Sequence, residues 1–183
     1  LGLGNTCGLD HAGAAHCWGS AVALGNPGAT LHPEEQCGYT VPPFNGPCAH
    51  TPVPVAGGRS YTSLAAGQSH VCGLEAGSGQ VYCWGTNGSG QLGSGDTTYA
   101  PVPVRATLPE PARVITAGQD FTCALGNSGA AYCWGRGDLG QPGIGAHAVA
   151  VLEPTEVAGG ARYRLISAGY THVCALRLSG ELD

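Results

Sequence analysis

The sequence contains no lysine and no methionine, so its seven basic residues are all arginine. Those arginines (Arg59, Arg105, Arg113, Arg136, Arg162, Arg164 and Arg177) are scattered, and only Arg162 and Arg164 stand close together. With no basic stripe and a formal net charge of −5, the chain lacks the electrostatic footprint of a nucleic-acid binder. The missing lysine also excludes a phosphate-cradling Gly-x-x-x-x-Gly-Lys loop. Charge of either sign is sparse, at 10% of residues, against about 25% in an average domain. No run of about 18 apolar residues suggests a membrane-spanning helix, and no long segment carries the helical period of a bundle. Phe, Ile and Asn are scarce along with Lys and Met, which hints at a GC-rich genome and says nothing about mechanism.

Catalytic signatures are missing as well. There is no His-Glu-x-x-His and no Gly-x-Ser-x-Gly elbow. Glu34 and Glu35 beside His32 read as a solvated turn. Asp96 and Asp138 lie in glycine-rich turns without the spaced acidic ligands that a calcium loop needs. The expectation is a protein that is not an enzyme and takes no metal or other cofactor.

What is abundant is glycine (32), proline (13) and cysteine (9), in a chain that is 43% hydrophobic. Enough apolar surface exists for a core, and the turn formers divide it into short pieces. That combination reads as all-β, with many short strands and tight turns.

Sliding the chain on itself reveals a repeat. Cys7-Gly-Leu through Cys17-Trp18-Gly19, Cys72-Gly-Leu through Cys83-Trp84-Gly85, and Cys123-Ala-Leu through Cys133-Trp134-Gly135 superimpose, and a fourth copy begins at Cys174-Ala-Leu. The leading cysteines recur after 65, 51 and 51 residues. Ala-Gly pairs precede them at Ala66-Gly67, Ala117-Gly118 and Ala168-Gly169, and glycine turns such as Gly90-Gln-Leu-Gly93 follow. Each unit ends on a proline-bearing stretch: Pro52-Val-Pro-Val55, Pro101-Val-Pro-Val104 and the weaker Pro154-Thr-Glu-Val157. Proline is tolerated mainly on edge strands, so this element is expected on the outside of each sheet. Small antiparallel sheets repeating near every fifty residues are the mark of a β-propeller. The units run 1–65, 66–116 and 117–167, with a partial one at 168–183.

The pattern Ala-Gly-x-x-His-x-Cys-Ala-Leu, then Tyr-Cys-Trp-Gly, then Gly-Gln-Leu-Gly resembles the regulator of chromosome condensation repeat. The resemblance covers the chain except the segment around 29–51. It implies a seven-bladed propeller, of which this chain would supply about three and a half blades. Family activities range from nucleotide exchange on a small GTPase to β-lactamase inhibition, so the fold does not choose among them. The cysteine pairs depart from the nuclear members and resemble a secreted, mostly bacterial branch, which places the protein outside the cell or at its surface, with the periplasm as a further option.

Cysteines ten or eleven residues apart across a glycine turn can face each other on neighbouring strands. The expected disulfides are Cys7–Cys17, Cys72–Cys83 and Cys123–Cys133, each contributing roughly 2.5–3 kcal/mol on the chain-entropy model. Zinc is the competing reading of nine cysteines, but Cys-x(2–4)-Cys knuckles are missing. His70-Val-Cys72 and His172-Val-Cys174 could pass for ligand pairs. The position also accepts Asn5 and Phe121, which favours a packing or hydrogen-bonding role for His70 and His172. Trp18, Trp84 and Trp134 could stack on a carbohydrate. One tryptophan at a constant place in every repeat reads more simply as packing between blades.

Residues 29–51 break the repeat. Between Gly28 and the Pro52 strand this unit carries an insert with its own pair, Cys37 and Cys48, around Tyr39, Val41 and Phe44. A stapled, proline-stiffened loop bearing apolar side chains is preorganised for binding, and such loops are where binding residues concentrate. The competing reading folds it onto its own blade.

On the 51-residue period, the partner of Cys174 falls one position past Asp183, so Cys174 is expected to be unpaired in this chain. The blade edges are then expected to be completed by further repeats or by neighbouring subunits. The leading functional expectation is a non-catalytic, extracellular protein-interaction scaffold, with a protein partner or copies of itself and no membrane insertion. The alternatives are a structural subunit assembling into a ring or filament, and a propeller-type enzyme inhibitor.

Overall fold

The structure is a computed structural model and describes residues 2, 4–31, 47–145 and 148–183. Among them are thirteen strands and a single short 3-10 turn, Ala21–Ala23. Three strands form the first sheet: β1 (Asn5–Leu9), β2 (Ala15–Ser20) and β3 (Cys48–Pro54). The second sheet is β4 (Tyr61–Ala66), β5 (His70–Glu75), β6 (Val81–Gly85) and β7 (Ala100–Arg105). The third repeats it with β8 (Ala112–Ala117), β9 (Phe121–Gly126), β10 (Ala131–Arg136) and β11 (Ala150–Glu156). Two strands complete the set, β12 (Tyr163–Ala168) and β13 (Val173–Arg177).

Every neighbouring pair is antiparallel and follows chain order, so each sheet is a meander. The proline-bearing strands β3, β7 and β11 all lie at a sheet edge, where the missing N–H of proline costs no ladder bond. Successive sheets pack side by side, with β4 against β8 and β8 against β12. This is a partial β-propeller.

The sheets are out of phase with the repeat as counted along the sequence. Each four-stranded sheet takes its first strand, β4 or β8, from the residues just before the Ala-Gly pair. By sequence count that strand falls at the end of the preceding unit, yet its hydrogen-bond partner is the strand following the glycine, in the next one.

The core is divided into layers between sheets. Tyr61, Val71 and Trp84 pack with Cys17 of the first sheet and Leu24 of its following loop, and Trp134 packs with Val81 and Cys83 of the second sheet and Leu92 of the loop after β6. A third layer joins Phe121, Leu125 and Cys133 to Tyr163, Ile166 and Ala175.

Candidate functional site

Each hairpin of the repeat is closed by a disulfide directly across the ladder. Cys7 pairs with Cys17, Cys72 with Cys83 and Cys123 with Cys133, at S–S distances of 2.06, 2.14 and 2.09 Å. The same residues are register partners on their strands, with Cα atoms 4.0–4.1 Å apart. Cys174 stands exposed on β13 with a free thiol. Cys48, the first residue of β3, is buried and disulfide-bonded. Its expected partner Cys37 lies outside the described residues, as do Tyr39, Val41 and Phe44.

The tryptophans sit where the ladder slips. The register shifts between Cys17 and Gly19, between Cys83 and Gly85, and between Cys133 and Gly135. A bulge of this kind re-aims a side chain, and for Trp84 and Trp134 it coincides with the indole that packs against the preceding sheet. Trp84 Nε1 donates to the carbonyl of Ala23 at 3.0 Å, and Trp134 Nε1 to that of Gln91 at 2.9 Å. The acceptor stands two residues before a turn glycine in both cases, Gly25 and Gly93. Those glycines have φ of 71° and 69° and lie under the indoles, where a Cβ would come within 2.9 and 2.8 Å of Nε1. Trp84 and Trp134 are wholly buried, whereas Trp18 is half-buried.

His70 and His172 occupy one repeat position and have different surroundings. His70 is wholly buried, with Nε2 2.9 Å from Thr122 Oγ1 on the next sheet. Thr122 spends its single hydroxyl proton on the carbonyl of Gln91, 2.9 Å away, so His70 must donate from Nε2. Its Nδ1 then faces the interior with no hydrogen-bond partner. Burial lowers its pKa from 6.5 to about 4. His172 is exposed.

Among the described residues no group of three or more His, Cys, Asp or Glu side chains is placed to hold a metal. Several carboxylates staple turns. Asp138 accepts two bonds from Arg136 and one from Gln141, which hold its pKa down at about 2. Glu110 accepts from the Ser128 hydroxyl, the Ser128 N–H and the Tyr132 hydroxyl, and its pKa is lowered chiefly by Ser128. Glu75 binds Ser78 and Arg59 in the same manner. These carboxylates are already satisfied by their own loops.

The described residues on either side of the insert are tied to the fold. The N–H of Ala21, just after β2, donates to the carbonyl of Pro47, just before β3, at 3.1 Å. Ala23, Leu24 and Trp84 share one buried cluster, and Ala21, Ala29 and Leu31 pack against it. Near the centre of the stack, the N–H of Gln68 donates to the carbonyl of Gln119, and that of Gln119 to Tyr170, locking consecutive sheets together.

Residue types could be read ahead of the structure, but the acceptor carbonyls of Ala23 and Gln91 and the Thr122 hydroxyl were not anticipated. A backbone carbonyl leaves no side-chain signature. The constant offset between acceptor and turn glycine is the trace that could have exposed it.

Two models described as Regulator of chromosome condensation (RCC1) repeat match the chain, one over residues 78–125 and 128–176 and the other over 61–91 and 113–141. Among solved structures, yeast RCC1 (Prp20) bound by Kap60 superimposes with a TM-score of 0.74 at 23% identity, over 99% of this chain and 41% of that one. Human WBSCR16 gives 0.76 at 20% identity, over 99% and 44%. The ectodomain of the Physcomitrella patens receptor kinase CR4 gives 0.59 at 24% identity, over 100% and 39%. The chain thus spans about two fifths of the length of these proteins.

Proposed function

The chain belongs to the regulator of chromosome condensation repeat family, and from that premise we propose that it is a non-catalytic protein-interaction scaffold working in an oxidising, extracellular setting. The observation that carries the contact site is the base of the insert. Leu31 packs against a buried layer that holds Leu24 and Trp84, and Pro47 precedes the buried, disulfide-bonded Cys48. A loop displayed from such a platform loses little conformational freedom on binding. The three stapled hairpins support the oxidising compartment, since disulfides of this kind persist where thiols are not kept reduced. A protein partner accords with the yeast relative, whose structure holds Kap60. We assign Tyr39, Val41 and Phe44 as the contact residues and Cys37 as the partner of Cys48.

The test replaces Tyr39 and Phe44 by Ala and measures both partner capture from the extracellular fraction and thermal stability. Loss of binding by a few kcal/mol with an unchanged melting temperature is expected of aromatic anchors at an interface. A lowered melting temperature with binding intact would assign the rings to self-packing.

A further inference from the structure

His70 and Thr122 close the joint between the second and third sheets, and the repeat supplies their counterparts at the other two joints. They are Asn5 and Val71 between the first and second sheets, and Phe121 and Val173 between the third and last. Among the described joints only the middle one holds a titratable side chain at this position. Its bonds leave the second sheet and return to it: His70 Nε2 donates to Thr122 Oγ1 on β9, and that hydroxyl donates to the carbonyl of Gln91 in the loop after β6. Nδ1 lies over Gly67, where a Cβ would come within 2.5 Å both of it and of the Gly118 carbonyl oxygen. It has no hydrogen-bond partner there. Among the described residues, the strands around the ring bring it no charge. Gly85 is its ladder partner on β6, Cys72, two residues on, is disulfide-bonded, and β9 offers Phe121 and Thr122. Asp120, in the turn before β9, faces Arg136 at 3.9 Å. Burial is therefore the cause of the lowered pKa. In the adjoining turns the N–H of Gln68 donates to the carbonyl of Gln119, across the same joint.

We propose that this corner of the fold is an acid-released latch: when His70 takes up a proton, the Gln68–Gln119 bond between the second and third sheets opens, while the tryptophan layer of the same joint stays closed. A protonated ring needs an acceptor for its Nδ1–H and water for its charge, and the enclosed position supplies neither. Release of the turn that carries Gln68 gives the ring both. Trp134 is bonded to the Gln91 carbonyl through its own indole N–H, so its hold does not pass through the imidazole. Enclosed, the ring has a pKa of about 4, against 6.5 when solvated, so the open state gains about 30-fold between pH 7.5 and pH 5.0 on the linkage relation. The latch is separate from the insert, and the insert variants above leave it untouched.

Native-state hydrogen exchange of the whole chain, followed residue by residue and corrected for the intrinsic pH dependence of amide exchange, reads the latch directly. The Gln68 amide is expected to open about 30-fold more often at pH 5.0 than at pH 7.5. Two other amides serve as references. Gln119 donates to Tyr170 at the next joint, and Ala112 donates to Gly79 at the other end of the same joint. Both are expected to change by less than about threefold. His70→Phe, which copies Phe121, and His70→Asn, which copies Asn5, should each remove the acid response of Gln68. Equal acceleration at Gln68, Gln119 and Ala112 would mean general acid unfolding and would overturn the proposal. So would a Gln68 amide that ignores pH, or one that keeps its response in either variant.

Discussion

His70 couples two sheets through a single tautomer. Protonating Nδ1 would place a charged N–H in an apolar interior with no acceptor, and burial accordingly drives the pKa to about 4. In the unfolded chain the ring titrates near 6.5, so below that pH the unfolded state binds the extra proton. The stabilising contribution is complete above about pH 6.5 and is lost progressively down to about pH 4. The difference amounts to about 3 kcal/mol on the linkage relation. Denaturant titrations at pH 7.5 and pH 4.5 should register this loss, and His70→Phe, which copies the residue at Phe121, should remove most of it. An unchanged pH slope in that variant would transfer the effect to other groups. The sequence correctly marked His70 and His172 as one repeat position, but it could not distinguish them. Burial at that position depends on the sheet packed against it, and among the described residues His70 has one and His172 does not.

At the scale of the strand pair, each disulfide joins residues that the ladder already places face to face. Its contribution therefore falls mainly on the unfolded chain, whose small loops it closes. Replacing Cys123 and Cys133 together by Ala should lower stability by roughly 2.5–3 kcal/mol on that model. Non-reducing peptide mapping of the unaltered chain should recover each cysteine of the three hairpins with its own hairpin partner. A crosslink between different sheets would contradict the local pairing. The hairpins were legible because cysteine, glycine turn and tryptophan recur in fixed order, and the outer strands because proline confines them to an edge. The phase of the sheets was not. A tandem repeat looks the same from any starting point, and only the hydrogen bonds of β4 to β5 and β8 to β9 reveal that a sheet straddles the counted boundary.

Across the whole molecule, stability should follow the stack. Among the described residues, the second and third sheets are covered on both faces, through Trp84 below and Trp134 and Ile166 above, while the first and last are covered on one. A repeat stack of this kind behaves as a chain of nearest-neighbour couplings. Native-state hydrogen exchange should therefore find the amides of β5, β6, β9 and β10 opening only with global unfolding, and those of β1 and β13 exchanging faster by local opening. Trp84→Ala tests the coupling itself. It removes a wholly buried indole and leaves the Ala23 carbonyl without that donor, so a cost of about 3–5 kcal/mol is expected. That loss should fall on one joint. Exchange in β1 and β2 should accelerate towards that of an independent hairpin, while β9 and β10 keep their protection relative to the remaining stack. Trp18→Ala, at a half-buried ring, should cost far less. If Trp84→Ala instead raised exchange equally in all four sheets, the molecule would be one cooperative body, and the layered description of its core would have to be abandoned.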